Sequence, residues 1–239
     1  MEHRNVRGKI LYMTADTPPV ERGREWFSVT FHEDGQRTVR SHCEIEPGLV
    51  TDRSVIRDVT YTVDADYKPL DGYVRLQDNG SFLGAGWFRV DDNVAECEAF
   101  NIRDGRITQR FNLDRPTPSV GAHALTCDVL HCARFNHSSD SKIQSARGAM
   151  LTSLEHDGCS GPLLAPIDFK IEYVGREKIR VPAGEFETDH YRFLLEGTLP
   201  KEHPTEELWC TSDDFIFVKI VVGGYMNASF ELVELEYEY

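Results

Sequence analysis

The sequence predicts a mainly β, antiparallel fold with one short helical interlude, and three observations carry that prediction. Apolar and polar residues alternate with period two through most of residues 8–113, the signature of strands with one buried face. Turn signals such as Glu33-Asp34-Gly35, Asn79-Gly80, Asp91-Asp92-Asn93 and Arg103-Asp104-Gly105 interrupt the alternation at hairpin spacing. The pattern stops at Pro116-Thr117-Pro118 and resumes at residue 167. Together these segments give roughly 12–13 strands.

The first set begins at residue 8 and continues with 24–31, 38–45, 55–63, 72–77, 81–90, 94–102 and 107–113. Short turns between consecutive strands make it an antiparallel meander over 8–113. Residues 119–151 form the interlude. Within it, 121–135 (GAHALTCDVLHCARF) lacks alternation, is rich in Ala and is the best helix candidate, with a second short helix expected over 141–151. Strands resume at 167–174, 177–181, 185–195, 206–211, 215–222 and 225–237. The acidic end of the last one (Glu231, Glu234, Glu236, Glu238) reads as a charged edge kept soluble and unpaired. No Ser-, Gly- or charge-rich linker separates the halves, so a single β-rich domain over 1–239 is expected.

The chain has 239 residues, with 26 Lys+Arg against 40 Asp+Glu for a formal charge of −14. That balance argues against a nucleic-acid or anionic-membrane partner, since both need a basic surface. No stretch reaches the length of a membrane span, so no membrane insertion is expected. No apolar run of signal-peptide type follows Met1-Glu2-His3-Arg4, and the expected location is cytoplasmic. The six cysteines (43, 97, 127, 132, 159 and 210) form no Cys-x-x-Cys pair and read as free, mostly buried thiols.

A resemblance adds to this reading. The segments VGREKIRVPAGEFETDHYRF, EELWCTSDDFIFVKIVV and ASFELVEL follow one another within residues 171–235. Their order resembles a domain-of-unknown-function family with a lipoprotein-carrier-like (Lol-type) half-barrel. There, a Val-Pro-Ala-Gly hairpin precedes a Leu-Trp strand, an acidic turn and a closing strand. The resemblance covers the C-terminal third and implies a strongly curved antiparallel sheet, a barrel-like half-barrel around a helix or an apolar cavity, often for hydrophobic ligands. Its motifs are structural rather than catalytic.

Cofactor motifs are missing. Gly84-Ala85-Gly86 lacks the third glycine of a dinucleotide loop, and there is no phosphate-binding loop, nucleophile elbow, His-Glu-x-x-His or calcium loop. No cofactor is therefore expected, and any chemistry would run on side chains alone.

Two constellations could carry it. In the helix candidate, His123, Cys127 and His131 are spaced i, i+4, i+8 beside Asp128. That spacing would suit a His–carboxylate pair for proton transfer. A metal site there would need a distant ligand such as Cys132 or His137, and none is assigned. The bland alternative is a helix packing Cys127 inward with its histidines at the rim. The second constellation comes from strand positions that break their own alternation. Arg57 shares a face with Val55, Val59, Tyr61 and Val63; Glu96 and Glu98 share one with Val94, Phe100 and Ile102; Gln109 lies between Ile107 and Phe111. If those faces point inward, the interior holds charges that must pair or meet a ligand. Tyr61, Tyr73, Arg75, Trp87 and Trp209 are the aromatic and basic residues expected around such a pocket, though aromatic residues in strands usually pack a core.

The expected partner is a small hydrophobic, aromatic or terpenoid molecule; a homo-oligomer is left open. Arg57 or Gln109 would orient an oxygen of the ligand and Tyr61 and Trp87 would wall the site. Glu96, Glu98 or the His123–Asp128 pair would move a proton in a cofactor-independent lyase, hydratase or isomerase step. The alternative is a non-catalytic carrier of a hydrophobic ligand.

Overall fold

A computed structural model describes residues 3–48, 51–195, 203–224 and 226–238. The first meander comprises β1 (Arg4–Thr14), β2 (Glu21–Phe31), β3 (Arg37–Ile45), β4 (Val55–Val63), β5 (Pro69–Asp78), β6 (Ser81–Val90), β7 (Val94–Asn101) and β8 (Gly105–Asn112). The interlude contains β9 (Val120–Gly121), the helix α1 (Leu125–Asp128) and a single 3-10 turn, Val129–His131. The second meander comprises β10 (Ile143–Leu151), β11 (Ala165–Val181), β12 (Gly184–Leu194), β13 (Glu206–Thr211), β14 (Phe217–Val222) and β15 (Ala228–Glu238).

The fifteen strands of the described residues form one sheet, in the order β8-β7-β6-β5-β4-β3-β2-β1-β15-β14-β13-β12-β11-β10-β9. Each meander is a run of hairpins, and antiparallel pairing of β1 with β15 joins them in the middle. The sheet does not close on itself: it is a curved half-barrel with β8 and β9 at its two ends. Every pairing is antiparallel except that of β9 with β10.

One face of the sheet is buried, and the interlude lies against it. On β4 the buried side chains are Val55, Arg57, Val59, Tyr61 and Val63, alternating with half-exposed neighbours. Contacts from both meanders reach the interlude. The Val120 amide donates to the Tyr61 hydroxyl at 3.2 Å, and His137 meets the Tyr191 hydroxyl on β12 at 3.0 Å. Burying side chains such as Ile10, Leu208 and Leu232, none of them exposed, is worth about 1.5–3 kcal/mol apiece.

Three expectations about elements are corrected. The helix is far shorter than 121–135. His123 takes a positive φ of 57°, which helical residues do not adopt, and the helical segment ends after one turn. Residues 141–151 form a strand, β10, not a second helix. A bulge at Gly148, φ 72°, shifts the register between Arg147 and Ala149, which breaks the alternation a strand would show. The last strand is no sheet edge, because β15 pairs with β1 along its length and with β14 at its start. Glu231 there bonds Lys219 at 2.7 Å; only its later acids lie where β1 is the sole partner. The expected start of that strand at Tyr225 lies outside the described residues. All six cysteines are free and buried.

Candidate binding cavity

The buried face and the interlude enclose a partly open cavity of about 130 Å³. Strands of both meanders build its wall: Tyr12 on β1, Ile45 on β3, Arg57 on β4, Phe169 on β11, Phe193 on β12, Ile220 and Val222 on β14 and Phe230 on β15. The interlude supplies His123, Leu125, Asp128 and His131; Leu151 at the end of β10 and Leu154, Glu155 and His156 in the β10–β11 loop add to the wall, with Glu206 at the start of β13 and His203 before it. The lining is thus mostly apolar with a few polar groups, the usual composition of a small-molecule site.

Behind the wall, Glu25 on β2 is fully buried and organises the interlude. It accepts the Tyr12 hydroxyl at 2.8 Å, the Leu125 amide at 2.9 Å, the Thr126 amide at 3.2 Å and the Thr126 hydroxyl. The two amides open α1, whose preceding residue, Ala124, provides no side-chain cap. A helix this short is not stable alone; a carboxylate from a distant strand satisfies its first donors. Cys43 on β3 faces Glu25 on one side and Arg57 on the other, so the acid and the arginine stand in one row across three strands.

Arg57 is 2% exposed. Its two terminal nitrogens donate to the backbone carbonyls of His123 and Asp157, pinning the interlude and the β10–β11 loop to β4. Its Nε–H is buried without a partner among the described residues. The loop beside it leaves no spare room: a Cβ on Gly158, φ 75°, would stand 2.3 Å from the guanidinium.

Burial holds three of the lining histidines toward the neutral form. His123 donates from Nε2 to the Ser153 carbonyl at 2.9 Å, and burial, reinforced by Arg57, pushes its pKa down to about 3. His131 pairs through Nδ1 with the Ser119 hydroxyl at 2.5 Å, stands edge-on to Phe169 and Phe193, and burial lowers its pKa to about 4. His203 donates from Nδ1 to the Pro204 carbonyl, and burial also lowers its pKa.

The carboxyls shift the other way. Burial raises Glu206 to about 7, and the nearest basic nitrogen is Nε2 of His203, 3.4 Å away. Asp128 is raised well above the carboxylate range by burial first, then by Glu206 and Glu25. It accepts or donates no side-chain hydrogen bond among the described residues. Burial and the neighbouring carboxyls thus favour the protonated form of Asp128.

Of the residues expected from sequence, the structure brings Arg57, His123, Asp128 and His131 to this cavity. They are not arranged along one helical face, and His123 does not pair with Asp128. The remaining candidates lie elsewhere. Glu96 and Glu98 are on the outer face, where they bond Arg110 and Arg106; Ala95, Cys97 and Ala99 face inward instead. This end of the sheet is tightly packed: a Cβ on Gly86 would stand 2.4 Å from the Cβ of Ala99. A Cβ on neighbouring Gly84 would lie 3.0 Å from Pro162. Gln109 bonds the Leu164 amide and carbonyl at 2.7 and 2.9 Å, tying strand β8 to the β10–β11 loop rather than meeting the cavity. Tyr61 points inward but is packed under Val120. Tyr73 and Trp87 face each other across β5 and β6 on the outside, 42% and 45% exposed. Arg75 lies over Phe82 there. Trp209 stacks on His190 and donates to Glu177, also on the outer surface. Sequence reasoning missed Glu25, Glu206 and Tyr12. The first two were open to the rule that found Arg57, since Glu25 shares parity with Phe27 and Val29, and Glu206 with Leu208 and Cys210.

Among the described residues no three His, Cys, Asp or Glu side chains converge to hold a metal ion, and no helix is long and apolar enough to cross a membrane.

No protein-family model matches the chain, and no curated protein matches it by sequence. Its fold is that of known structures. It is similar to a crystal structure of a beta-barrel-like protein of domain of unknown function DUF1849 from Brucella abortus, with a TM-score of 0.56, 11% identity, and coverage of 99% of this chain and 98% of that one. A domain provisionally described as an outer membrane lipoprotein-sorting protein, from Vibrio parahaemolyticus, aligns over 98% of this chain and 85% of its own at 5% identity, but its TM-score of 0.24 gives the likeness no weight. The half-barrel implied by the C-terminal motifs thus extends over the whole chain.

Proposed function

We propose that the protein binds a small hydrophobic molecule in the cavity between the half-barrel and its interlude. The observation that carries this reading is the lining itself. Phe169, Phe193, Phe230, Ile220 and Val222 surround a void of a size that, in an apolar core, accepts a benzene-sized solute. A longer ligand would leave part of its length at the open side. Titration with benzene-sized solutes, followed by the rise in thermal unfolding temperature, tests it. Wild type gains stability with ligand concentration as mass action requires. Val222→Phe, which fills the void, loses that gain while keeping its circular dichroism. Equal gains in both proteins would remove the cavity as the site.

A second reading is favoured by Glu206, whose pKa of about 7 suits a group that both takes and gives a proton at neutral pH. In this reading the bound molecule undergoes a cofactor-independent proton transfer, of lyase, hydratase or isomerase type. Incubation of bound ketones in deuterium oxide, with exchange at the α-carbon followed by NMR, tests it. Exchange catalysed by wild type and abolished in Glu206→Gln supports turnover; exchange at the uncatalysed rate leaves binding alone.

A further inference from the structure

The two ends of the sheet are unlike. At one end β9 is two residues long and pairs with β10 in parallel, so it offers little to another strand. At the other, β8 runs over eight residues, Gly105–Asn112, and pairs with β7 without a bulge. Sheets commonly blunt such an edge with a proline, a bulge, an inward-pointing charge or a covering segment. β8 contains no proline, and on its inner side Ile107 and Phe111 pack half-buried against the core. Its charges, Arg106 and Arg110, lie on the outer face and are drawn back onto Glu98 and Glu96 of β7. Gln109 ties β8 to Leu164 through its side chain alone. Among the described residues no backbone group of Gly105–Asn112 bonds any segment but β7.

The unpaired groups follow from the ladder. The Leu113 N–H donates to the Asn93 carbonyl at 2.7 Å, one step beyond the pairing of Val94 with Asn112. Bonded pairs recur at every second residue of an antiparallel ladder. Gly105, Ile107, Gln109 and Phe111 therefore turn their N–H and C=O toward β7. Arg106, Thr108, Arg110 and Asn112 turn theirs away from the sheet, and a further strand would have to meet these four.

A second copy of β8, arriving antiparallel about a two-fold axis, matches them in one register. Centred on Thr108, it sets Arg106 opposite the partner's Arg110; centred on Arg110, it sets two Arg110 side chains face to face. Like charges directly opposite are destabilising. Centring on Ile107 or Phe111 leaves much of the strand unpaired. Centred on Gln109, Arg106 faces the partner's Asn112, Thr108 faces the partner's Arg110, and on the inner side Ile107 faces the partner's Phe111. The last is an aromatic against a β-branched residue, a favourable cross-strand pair. Each facing pair of outward-turned residues exchanges two bonds, about eight in all.

We propose that the protein self-associates through β8, paired antiparallel with the β8 of a second copy and centred on Gln109, so that the sheet continues across a two-fold axis. The interface is small, so the dimer forms at micromolar rather than nanomolar concentration.

Sedimentation velocity over about 5–500 μM of the full chain, with amide hydrogen exchange followed by NMR at both ends of that range, tests it. Wild type should pass from monomer to dimer. The amides of Arg106, Thr108, Arg110 and Asn112 should exchange about fivefold more slowly at the high end, as mass action requires, with Ile107 and Gln109 little changed. Thr108→Pro removes an outward N–H and no bond to β7, and edge strands accept proline. It should weaken association on the order of a hundredfold with unchanged circular dichroism. Thr108→Arg, which sets a guanidinium opposite each Arg110, should do the same without touching the backbone, and stands in should the proline prevent folding. A wild type that stays monomeric throughout overturns the proposal. So does a dimer that persists in a folded variant, or one that protects amides other than the four.

Discussion

At the scale of single residues, Arg57 and Glu25 do more for the architecture than any apolar side chain their size. Both are buried charges, and such charges are tolerated only when their hydrogen-bonding groups are met. Arg57 meets the carbonyls of His123 and Asp157, and Glu25 meets the start of α1. Arg57→Met should therefore cost about 3 kcal/mol in urea unfolding, because two buried carbonyls lose their donors and Glu25 loses its compensating charge. A lysine at 57 should recover less than half of that, since a point ammonium cannot span both carbonyls as the planar fork does. Gly158→Ala should cost about 2 kcal/mol without touching the arginine, through the positive φ and the collision with the guanidinium. A Gly158→Ala protein as stable as wild type would show that the Arg57 pocket is slack. Parity alone located Arg57 in the sequence. It located Glu25 equally well, but a glutamate between Arg24 and Trp26 looks like an ordinary exposed strand residue unless its face is followed to Phe27 and Val29.

At the scale of elements, the alternation rule worked wherever the inner face carries large side chains, as on β2 to β4, and failed where it carries small ones. On β7 and just past it the larger apolar residues Phe100 and Ile102 are 50% and 63% exposed, while Ala95, Cys97 and Ala99 are buried. Residue size marks the inner face only where large side chains fill the space; where the packing is tight enough to take only small ones, the signal inverts. Bulges erase the signal in a different way. At Gly148 in β10 and between Tyr173 and Gly175 in β11 the parity slips by one, so β10 looked helical and β11 looked like two strands. The open end at β8 shows how an edge can be managed by a side chain. Gln109 presents its amide to both backbone groups of Leu164, as a strand partner would. Gln109→Ala should cost about 2 kcal/mol, the loss of two bonds to a buried segment, and speed hydrogen exchange in Gly105–Asn112 more than in β4. Uniform acceleration across both strands would contradict a local role for this clamp.

At the scale of the whole molecule, an excess of 40 acids over 26 bases is carried mainly on the outer face. Glu96 and Glu98 are examples, each paired with arginines. The acids that matter for pH are those inside. Glu206 has a folded pKa of about 7 against an ordinary 4.5, so between those values the folded state binds a proton that the unfolded state has released. Its stabilising contribution is complete below pH 4.5 and is lost as pH rises through 7. His123 and His131 act in reverse: their lowered pKa values make stability fall as pH drops below 6.5 toward 4 and 3. Wild-type stability should thus be broad and highest in the mildly acidic range, with each limb set by a different pair of groups. Glu206→Gln isolates the alkaline limb, since the amide cannot ionise and the histidines are common to both proteins. The stability difference, variant minus wild type, should grow between pH 4.5 and pH 8 by on the order of 3 kcal/mol. Part of that gain comes through Asp128, whose carboxyl no longer faces a second ionising acid. Urea midpoints measured at pH 4.5, 6 and 8 for both proteins decide it. Parallel pH profiles would mean that Glu206 ionises as it would in water.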